Sequence, residues 1–172
     1  MSDLSRDVAR LLEREIEGFK REIALFPDDD TVWTTVPGVT NSAGNLAVHI
    51  AGGLQYLIGS VLGHTGYVRD REAEFSRRSG TRSEVIAELD RAMGVVRGVL
   101  PQLSDEVLAG EYPEPVLGVR FRTRIFLVHL CAHAAFHLGQ AGYVRRAVTG
   151  DAASAGQLPL APLGHTTSTG AG

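Results

Sequence analysis

The amino-acid sequence predicts an all-α protein, a mostly antiparallel four-helix bundle. Apolar residues recur at the three- and four-residue spacing of an amphipathic helix in four separate segments. The stretches between these segments carry the Pro, Gly, Asp and Ser residues that end helices or begin them. The chain of 172 residues is most simply one domain, large enough to bury a core. Helices of this kind, with little strand pattern between them, pack as a bundle.

The first two predicted helices have apolar stripes and clear ends. The first covers about residues 3 to 26, and Pro27 with the acidic run that follows it ends the helix. The second begins at Asn41 or Ser42, both of which are good N-capping residues, and extends to about His64.

Two consecutive glycines, Gly52 and Gly53, lie inside the second predicted helix. Each is less favourable than Ala in a helix by about 1 kcal/mol. Their presence therefore predicts that another backbone approaches this helix closely.

The third and fourth predicted helices follow two connecting segments. Residues 65 to 80 are polar and form a connection with at most a short helical turn. Thr81 opens a capping-box pattern, and the third helix then extends to about Leu100. Residues 110 to 122 are expected to form a loop or a short hairpin, because they alternate apolar residues with Pro and Gly. The fourth helix covers about residues 122 to 148.

The domain organisation predicted from these elements is simple. Residues 1–150 form the bundle, and residues 151–172 form a C-terminal tail rich in Ala, Gly, Ser, Thr and Pro. Neither a repeat nor a second domain is apparent in the sequence.

Composition excludes several classes of function. The formal net charge of −3 gives no electrostatic basis for binding nucleic acid. The single cysteine, Cys131, excludes an intrachain disulfide and any Cys-x-x-Cys motif. We expect no membrane span, because no uninterrupted apolar run approaches the ~20 residues that a span requires. The polar N-terminus does not resemble a signal peptide, so a cytoplasmic location is expected.

Three histidines stand at four-residue intervals in the fourth helix: His129, His133 and His137. Residues 125 to 138 around them contain no Asp, Glu, Lys or Arg, so this helix is expected to be buried on nearly every side. Residues four apart share one face of a helix. Imidazole is the commonest metal-binding side chain, and buried polar groups need partners. The pattern therefore points to a metal ion.

Helix geometry limits which of these histidines can share an ion. His133 and His137, one turn apart, can bind a single ion, whereas His129 and His137 are separated by about 12 Å of helix rise. A third ligand must come from elsewhere, and His49 is the other histidine predicted on a core-facing stripe. The alternative is that His49 is a core residue bonded to a backbone carbonyl, and these residues alone leave both interpretations open.

Three segments resemble the DinB-like superfamily of four-helix bundles, many of which are described as metal-dependent enzymes. They are Asn-Leu-Ala-Val-His-Ile-Ala-Gly at 45–52, Arg-Asp-Arg-Glu-Ala-Glu-Phe at 69–75 and His-Ala-Ala-Phe-His-Leu-Gly-Gln at 133–140. The resemblance covers about residues 5 to 148. It implies a DinB-like bundle in which the second and last helices share one metal site.

The resemblance also implies roles for individual residues. His49, His133 and His137 would be the ligands of one divalent metal ion, zinc or nickel, with water at an open position. His129 and Gln140 would lie beside the ligands. Gln140 would hold a ligand imidazole or a bound water, and the alternative is a polar contact between helices or subunits. The pair His129 and His133 is the alternative ligand pair.

The activity that the resemblance implies is less specific than the site. Some DinB-like proteins act with low-molecular-weight thiols such as bacillithiol and mycothiol, so the favoured function is a metal-dependent thiol S-transferase with a small electrophilic substrate. The alternatives are a metal-dependent hydrolase and a non-catalytic, stress-associated metal-binding dimer, so catalytic turnover itself stays open. The sequence identifies no catalytic residue. Arg122, Arg124, Arg145 and Tyr143 are the candidates by sequence for acid–base or anion-binding groups near the metal, and a solvated surface position is the favoured alternative for each of the three arginines.

The fourth helix also predicts a homodimer. It is apolar over more of its circumference than the core of one bundle requires, which indicates a second buried face. The resemblance points the same way, since DinB-like proteins are often dimers.

Overall fold

The computed structural model describes residues 3–156 and 158–164. Over these residues it contains six helices, which we number in chain order. They are α1 Asp3–Ala24, α2 Ala43–Gly63, α3 Arg71–Ser76, α4 Arg82–Val99, α5 Asp105–Ala109 and α6 Thr123–Thr149. The long helices α1, α2, α4 and α6 correspond to the four predicted ones, so the all-α prediction is confirmed. Short 3₁₀ segments occur at Thr31–Trp33, Leu100–Gln102 and Ala161–Leu163.

The four long helices enclose one hydrophobic core. Helix α1 packs against α4 and α6, and α2 packs against the same two helices, so α1 and α2 occupy opposite corners of the bundle. Every long helix contributes fully buried apolar side chains, for example Leu12, Ile50, Leu89 and Leu127. The short α3 lies on α2, and α5 lies against α6.

The start of α2 is fixed by a capping box that also anchors α3. The Ser42 hydroxyl accepts a hydrogen bond from the Asn45 backbone N–H at 3.1 Å, and the Asn45 side chain accepts one from the Ser42 backbone at 3.3 Å. The Asn45 amide also donates to the carbonyl oxygens of Glu74 and Arg77, both at 2.9 Å. Asn45 therefore holds α3 against the N-terminal half of α2.

The middle of α2 is wider than an α-helix. Its segment Gln55–Ser60 is π-helical, a local form that often occurs at functional sites. The Tyr112 hydroxyl, from the connection before α6, donates to the carbonyl oxygen of Leu57 at 2.7 Å. Helical periodicity in the sequence did not predict this π-helical segment.

The connection before α6 is a hairpin, one of the two forms expected for it. Isolated antiparallel bridges join Glu111 to Arg122 and Val116 to Val119. Leu117 and Gly118 form the tip, with φ angles of 50° and 79°. A two-residue turn with both φ angles positive has the form that suits the twist of a hairpin.

The expectation that α6 is buried on nearly every side was wrong for the single chain. One face packs on the core through Leu127, Leu130 and Ala134. The opposite face is apolar and exposed, with exposed fractions of 56% for Ile125, 46% for Val128, 62% for Phe136 and 75% for Tyr143. The sequence pattern detected apolar residues around the whole helix but not that this face lies outside the bundle.

Helix α2 is long and apolar enough to pass a length and composition test for a membrane span. Among the described residues, Ala43–Gly63 meets this test with a mean hydropathy of 1.4. However, 67% of the apolar stretch that meets it is buried inside the protein. That degree of burial is typical of a core helix of a bundle.

Part of the C-terminal tail returns to the bundle. Buried Arg145 donates a hydrogen bond to the Ala153 carbonyl, and the 3₁₀ segment Ala161–Leu163 contacts α1. The remainder of the predicted tail, residues 165–172 and residue 157, lies outside the described residues.

Candidate metal centre

Three imidazoles from two facing helices converge at one point. His49 comes from α2, and His133 and His137 come from consecutive turns of α6. One nitrogen from each ring can be chosen so that the three atoms lie within 4.8 Å of one another. The Nε2 atoms of His133 and His137 are 3.0 Å apart. This convergence is what a single divalent ion requires, so the group forms a candidate metal centre.

Hydrogen bonds to the far side of two rings set their orientation. Nδ1 of His49 lies 2.9 Å from Oε2 of Glu74, and Nδ1 of His137 lies 2.7 Å from the side-chain oxygen of Gln140. Arg69 Nη2 also lies 3.1 Å from Nδ1 of His49. In the tautomer that carries its proton on Nδ1, each of the two rings donates to its oxygen and presents an Nε2 lone pair to the centre. A carboxylate or amide behind a histidine is the usual support of a metal-binding imidazole. The two rings are therefore oriented for coordination through Nε2.

Glu74 is itself held by Arg69. The guanidinium donates from Nε to Oε1 at 2.7 Å and from Nη2 to Oε2 at 2.8 Å. Glu74 is 7% exposed. Burial alone would raise its pKa, but the hydrogen bonds from His49 and Arg69 outweigh burial and hold the pKa below its ordinary value. Glu74 is therefore a buried carboxylate that carries a negative charge behind His49.

The glycine pair of α2 explains how this ion pair fits. A Cβ at Gly52 would overlap Oε1 of Glu74, and a Cβ at Gly53 would lie 3.4 Å from Nη2 of Arg69. The two glycines predicted the approach of another backbone at this point. That expectation was wrong, because the groups that approach the helix are the side chains of Glu74 and Arg69.

Burial keeps the imidazoles of His133 and His137 neutral. Desolvation, followed by the nearby His137 and His49 rings, lowers the pKa of His133 from 6.5 to about 4. Desolvation also lowers the pKa of His137. A neutral ring is the form that binds a metal ion. Near pH 7 these two side chains therefore need not lose a proton before they bind.

His129 lies outside the group of three. Its side chain is exposed, and its ring stacks on those of Phe126 and His133, with centroid distances of 6.0 Å and 5.8 Å. The converging group contains His49, His133 and His137. His129 is not part of this group, so the structure does not favour the alternative ligand pair of His129 and His133.

A cavity of about 220 Å³ borders the centre. Its wall includes His49 and His133 of the group, His129, and the arginines Arg69 and Arg71. The rest of the wall is almost entirely apolar, and none of the described residues that line the cavity is Asp or Glu. A ligand in this cavity would lie beside the imidazoles of the candidate centre and the two arginines, with apolar side chains around the rest of its surface.

The four residues proposed from the sequence as acid–base or anion-binding groups do not line this cavity. Arg145 is fully buried and pairs with Glu22 through Nε and Oε2 at 2.6 Å. Tyr143 is on the exposed face of α6. Arg122 donates to the carbonyl of Ala109, and Arg124 is exposed. The arginines that line the cavity are instead Arg69 and Arg71. The sequence did not identify them, because they lie in the long connection between α2 and α4, whose path across the bundle cannot be read from residue spacing.

Comparison with known proteins agrees with this architecture. The family model described as the DinB superfamily matches residues 11–141. The chain belongs to the DinB superfamily. Among solved structures, a conserved protein from Enterococcus faecalis matches with a TM-score of 0.71 and 20% sequence identity, covering 88% of this chain and 100% of that chain. No curated protein matches this DinB-superfamily chain.

Proposed function

We propose that this DinB-superfamily protein is a metal-dependent transferase that moves a low-molecular-weight thiol onto a small electrophile. His49, His133 and His137 would bind one zinc or nickel ion. Three protein ligands leave at least one coordination position of such an ion for another ligand. A thiol that binds a metal loses its proton and becomes a nucleophile.

The observation that carries this proposal is the character of the cavity beside the three imidazoles. Hydrolysis at a zinc site commonly uses a carboxylate as general base, as in metalloproteases, but the described lining of the cavity contains none. Glu74 is occupied by His49 and Arg69. Arg71 adds a positive charge to the wall, which favours an anionic ligand such as a thiolate. These features support thiolate chemistry over hydrolysis.

The reaction balances with only the thiol and the electrophile. With an aryl chloride as electrophile, the thiolate sulfur attacks the carbon that carries chlorine, so a C–S bond forms and a C–Cl bond breaks. Chloride leaves with the bonding electron pair, and the thiol proton passes to solvent. Neither an oxidant nor a reductant is needed.

The test is to load the protein with Co²⁺, Ni²⁺ or Zn²⁺ and add a panel of thiols: bacillithiol, mycothiol, glutathione and cysteine. A thiolate-to-metal absorption band in the cobalt or nickel protein should report binding. Formation of the thioether from 1-chloro-2,4-dinitrobenzene, with release of chloride, should then exceed the uncatalysed rate in the zinc or nickel protein.

The matched controls are His133→Ala, which should remove both signals, and His129→Ala, which should keep the absorption band because His129 is not one of the three converging histidines. A metal-loaded protein that shows neither the absorption band nor turnover with any thiol would contradict the proposal. That result would favour the non-catalytic metal-binding alternative.

We also propose that the protein is a homodimer formed through α6. The support is the exposed apolar face of this helix, on which Ile125, Val128 and Phe136 lie within about three turns. Large contiguous apolar surfaces on a soluble chain typically mark interaction sites. The cytoplasmic location and the lack of nucleic-acid and membrane partners stay predictions from the sequence.

A further inference from the structure

The cavity beside the candidate metal centre has the size of an aromatic ring with a short substituent. Its apolar wall is formed by α2 and α6, mainly through Ile50, Leu54, Leu57, Phe126 and Leu130. An apolar cavity of about 150 Å³ is enough to hold benzene, and this cavity measures about 220 Å³.

The tip of the hairpin supplies an apolar side chain at the same cavity. Leu117 lines it although the residue is 95% exposed. Its φ angle of 50° lies in the left-handed region, where a two-residue hairpin turn normally carries Asn, Asp or Gly. Leucine at this position gains no burial in the folded chain and stands in an unfavourable backbone conformation. Such a residue suggests a function outside folding.

The hairpin is anchored to the wall of the cavity. The buried Tyr112 donates its hydroxyl hydrogen to the Leu57 carbonyl at 2.7 Å, and its ring lies 4.5 Å from that of Phe126. Tyr56 of the π-helical segment donates to Glu114 Oε2 at 3.1 Å. These contacts tie the hairpin to α2 and α6, so Leu117 is held at the cavity.

We infer that the cavity binds a ring-sized apolar group of the substrate that reacts at the metal, and that Leu117 covers this group. The inference rests on the proposed function for the reaction, which makes the electrophile an aryl or similarly compact apolar compound. The binding itself needs only an open metal position beside the cavity. The ligand's polar atoms face the metal, and its apolar group lies between α2, α6 and the hairpin tip.

The experiment compares two metal-binding probes that involve no thiol, acetohydroxamate and benzohydroxamate, on the zinc-loaded protein. Both bind a metal through two oxygens and differ by a ring in place of a methyl group. Calorimetry should show benzohydroxamate binding at least about tenfold more tightly, because the ring leaves water for the cavity. Metal content measured after the titration shows that the probes have not removed the ion.

Leu117→Asn is the variant that tests the hairpin tip. Asparagine suits a positive φ, so the turn is retained while the apolar contact is lost. We expect the affinity ratio of the two probes to fall by about threefold or more. Leu160→Asn is the matched control, since Leu160 is 73% exposed and outside the cavity lining. The variant-to-wild-type comparison cancels any intrinsic difference in metal affinity between the probes.

Each outcome decides the inference. A preference for the ring that weakens in Leu117→Asn but not in Leu160→Asn supports it. Equal binding of the two probes, a ratio unchanged in Leu117→Asn, or no binding of either probe overturns it. Failure of the thiol assay combined with a clear ring preference would refute the proposed transferase reaction alone.

Discussion

Replacing Glu74 with glutamine should weaken metal binding without removing a ligand. The carboxylate accepts hydrogen bonds from Nδ1 of His49 at 2.9 Å and from Arg69 at 2.7 Å and 2.8 Å. A glutamine side chain keeps one acceptor oxygen and adds an NH₂ donor. If the oxygen faces His49, the NH₂ group opposes the Arg69 donors. If the amide flips, His49 moves its proton to Nε2 and can no longer bind the ion through that atom.

Both arrangements are unfavourable, so we expect Glu74→Gln to lose metal affinity. Loss of a carboxylate behind a metal-binding histidine typically reduces metal affinity by about 10- to 100-fold, or ~1.4–2.7 kcal/mol. The side chain is only 7% exposed, so water offers little compensation to Arg69. We therefore expect a loss near the upper end of the range.

The assay is competition for Zn²⁺ or Ni²⁺ against a chromophoric chelator at pH 7.5. Glu72→Gln is the matched control, because Glu72 is on the same short helix and is exposed. Circular dichroism of the metal-free variants checks that each retains its helices. Unchanged affinity in a folded Glu74→Gln protein would refute the claim that Glu74 orients His49.

Three further predictions address the packing, the protonation and the assembly of the protein. Gly52→Ala should also lower metal affinity by at least about tenfold in the same competition assay, because its Cβ would displace Glu74; unchanged affinity would contradict the packing argument. In the metal-free protein, the pKa of His133 is about 4 against 6.5 for a free side chain. The contribution of this neutral group to the free energy of unfolding is therefore complete above pH 6.5 and is lost as pH falls toward 4, by at most about 3 kcal/mol. If the melting temperatures of the wild type and of His133→Gln fall equally between pH 6.5 and pH 4, this prediction is wrong. Phe136→Glu, on the exposed face of α6, should shift sedimentation from dimer to monomer, whereas the matched Val68→Glu should not; a wild-type protein that is monomeric at micromolar concentration would remove the dimer proposal.

Helical periodicity predicted the bundle well because its signals are local. The apolar stripes of the four long helices, the capping box at Thr81 and the end of α6 at Gly150 each depend on residues within a few positions. The boundaries of α1 and α6 lie within about two residues of those expected. Local chemistry thus carried most of the information about the fold.

Contacts between residues that are far apart in the chain could not be predicted from the sequence. Glu74 was assigned to a polar connection, although the segment 69–75 that contains it belongs to the resemblance with DinB-like proteins. Gly52 and Gly53 gave a local sign, since they predicted a close approach to α2. Only the folded chain shows that the approaching group is a carboxylate behind His49.

The exposed face of α6 and the cavity show a different limit. A pattern of apolar residues indicates that a face is buried but not what buries it. Ile125 and Phe136 look like core residues in the sequence and lie outside the bundle in the single chain. The cavity requires α2, α6 and the hairpin tip together, and the spacing of residues along one helix contains no information about that assembly.

The central claim is that His49, His133 and His137 hold one divalent ion. Its most direct test is the metal content of His133→Ala and His129→Ala, each purified, loaded with Zn²⁺ or Ni²⁺, passed over a desalting column and measured by mass spectrometry. We expect about one ion per chain in His129→Ala and in the wild type, and almost none in His133→Ala, because only His133 belongs to the converging group. Equal retention in the two variants, or loss confined to His129→Ala, would contradict the assignment.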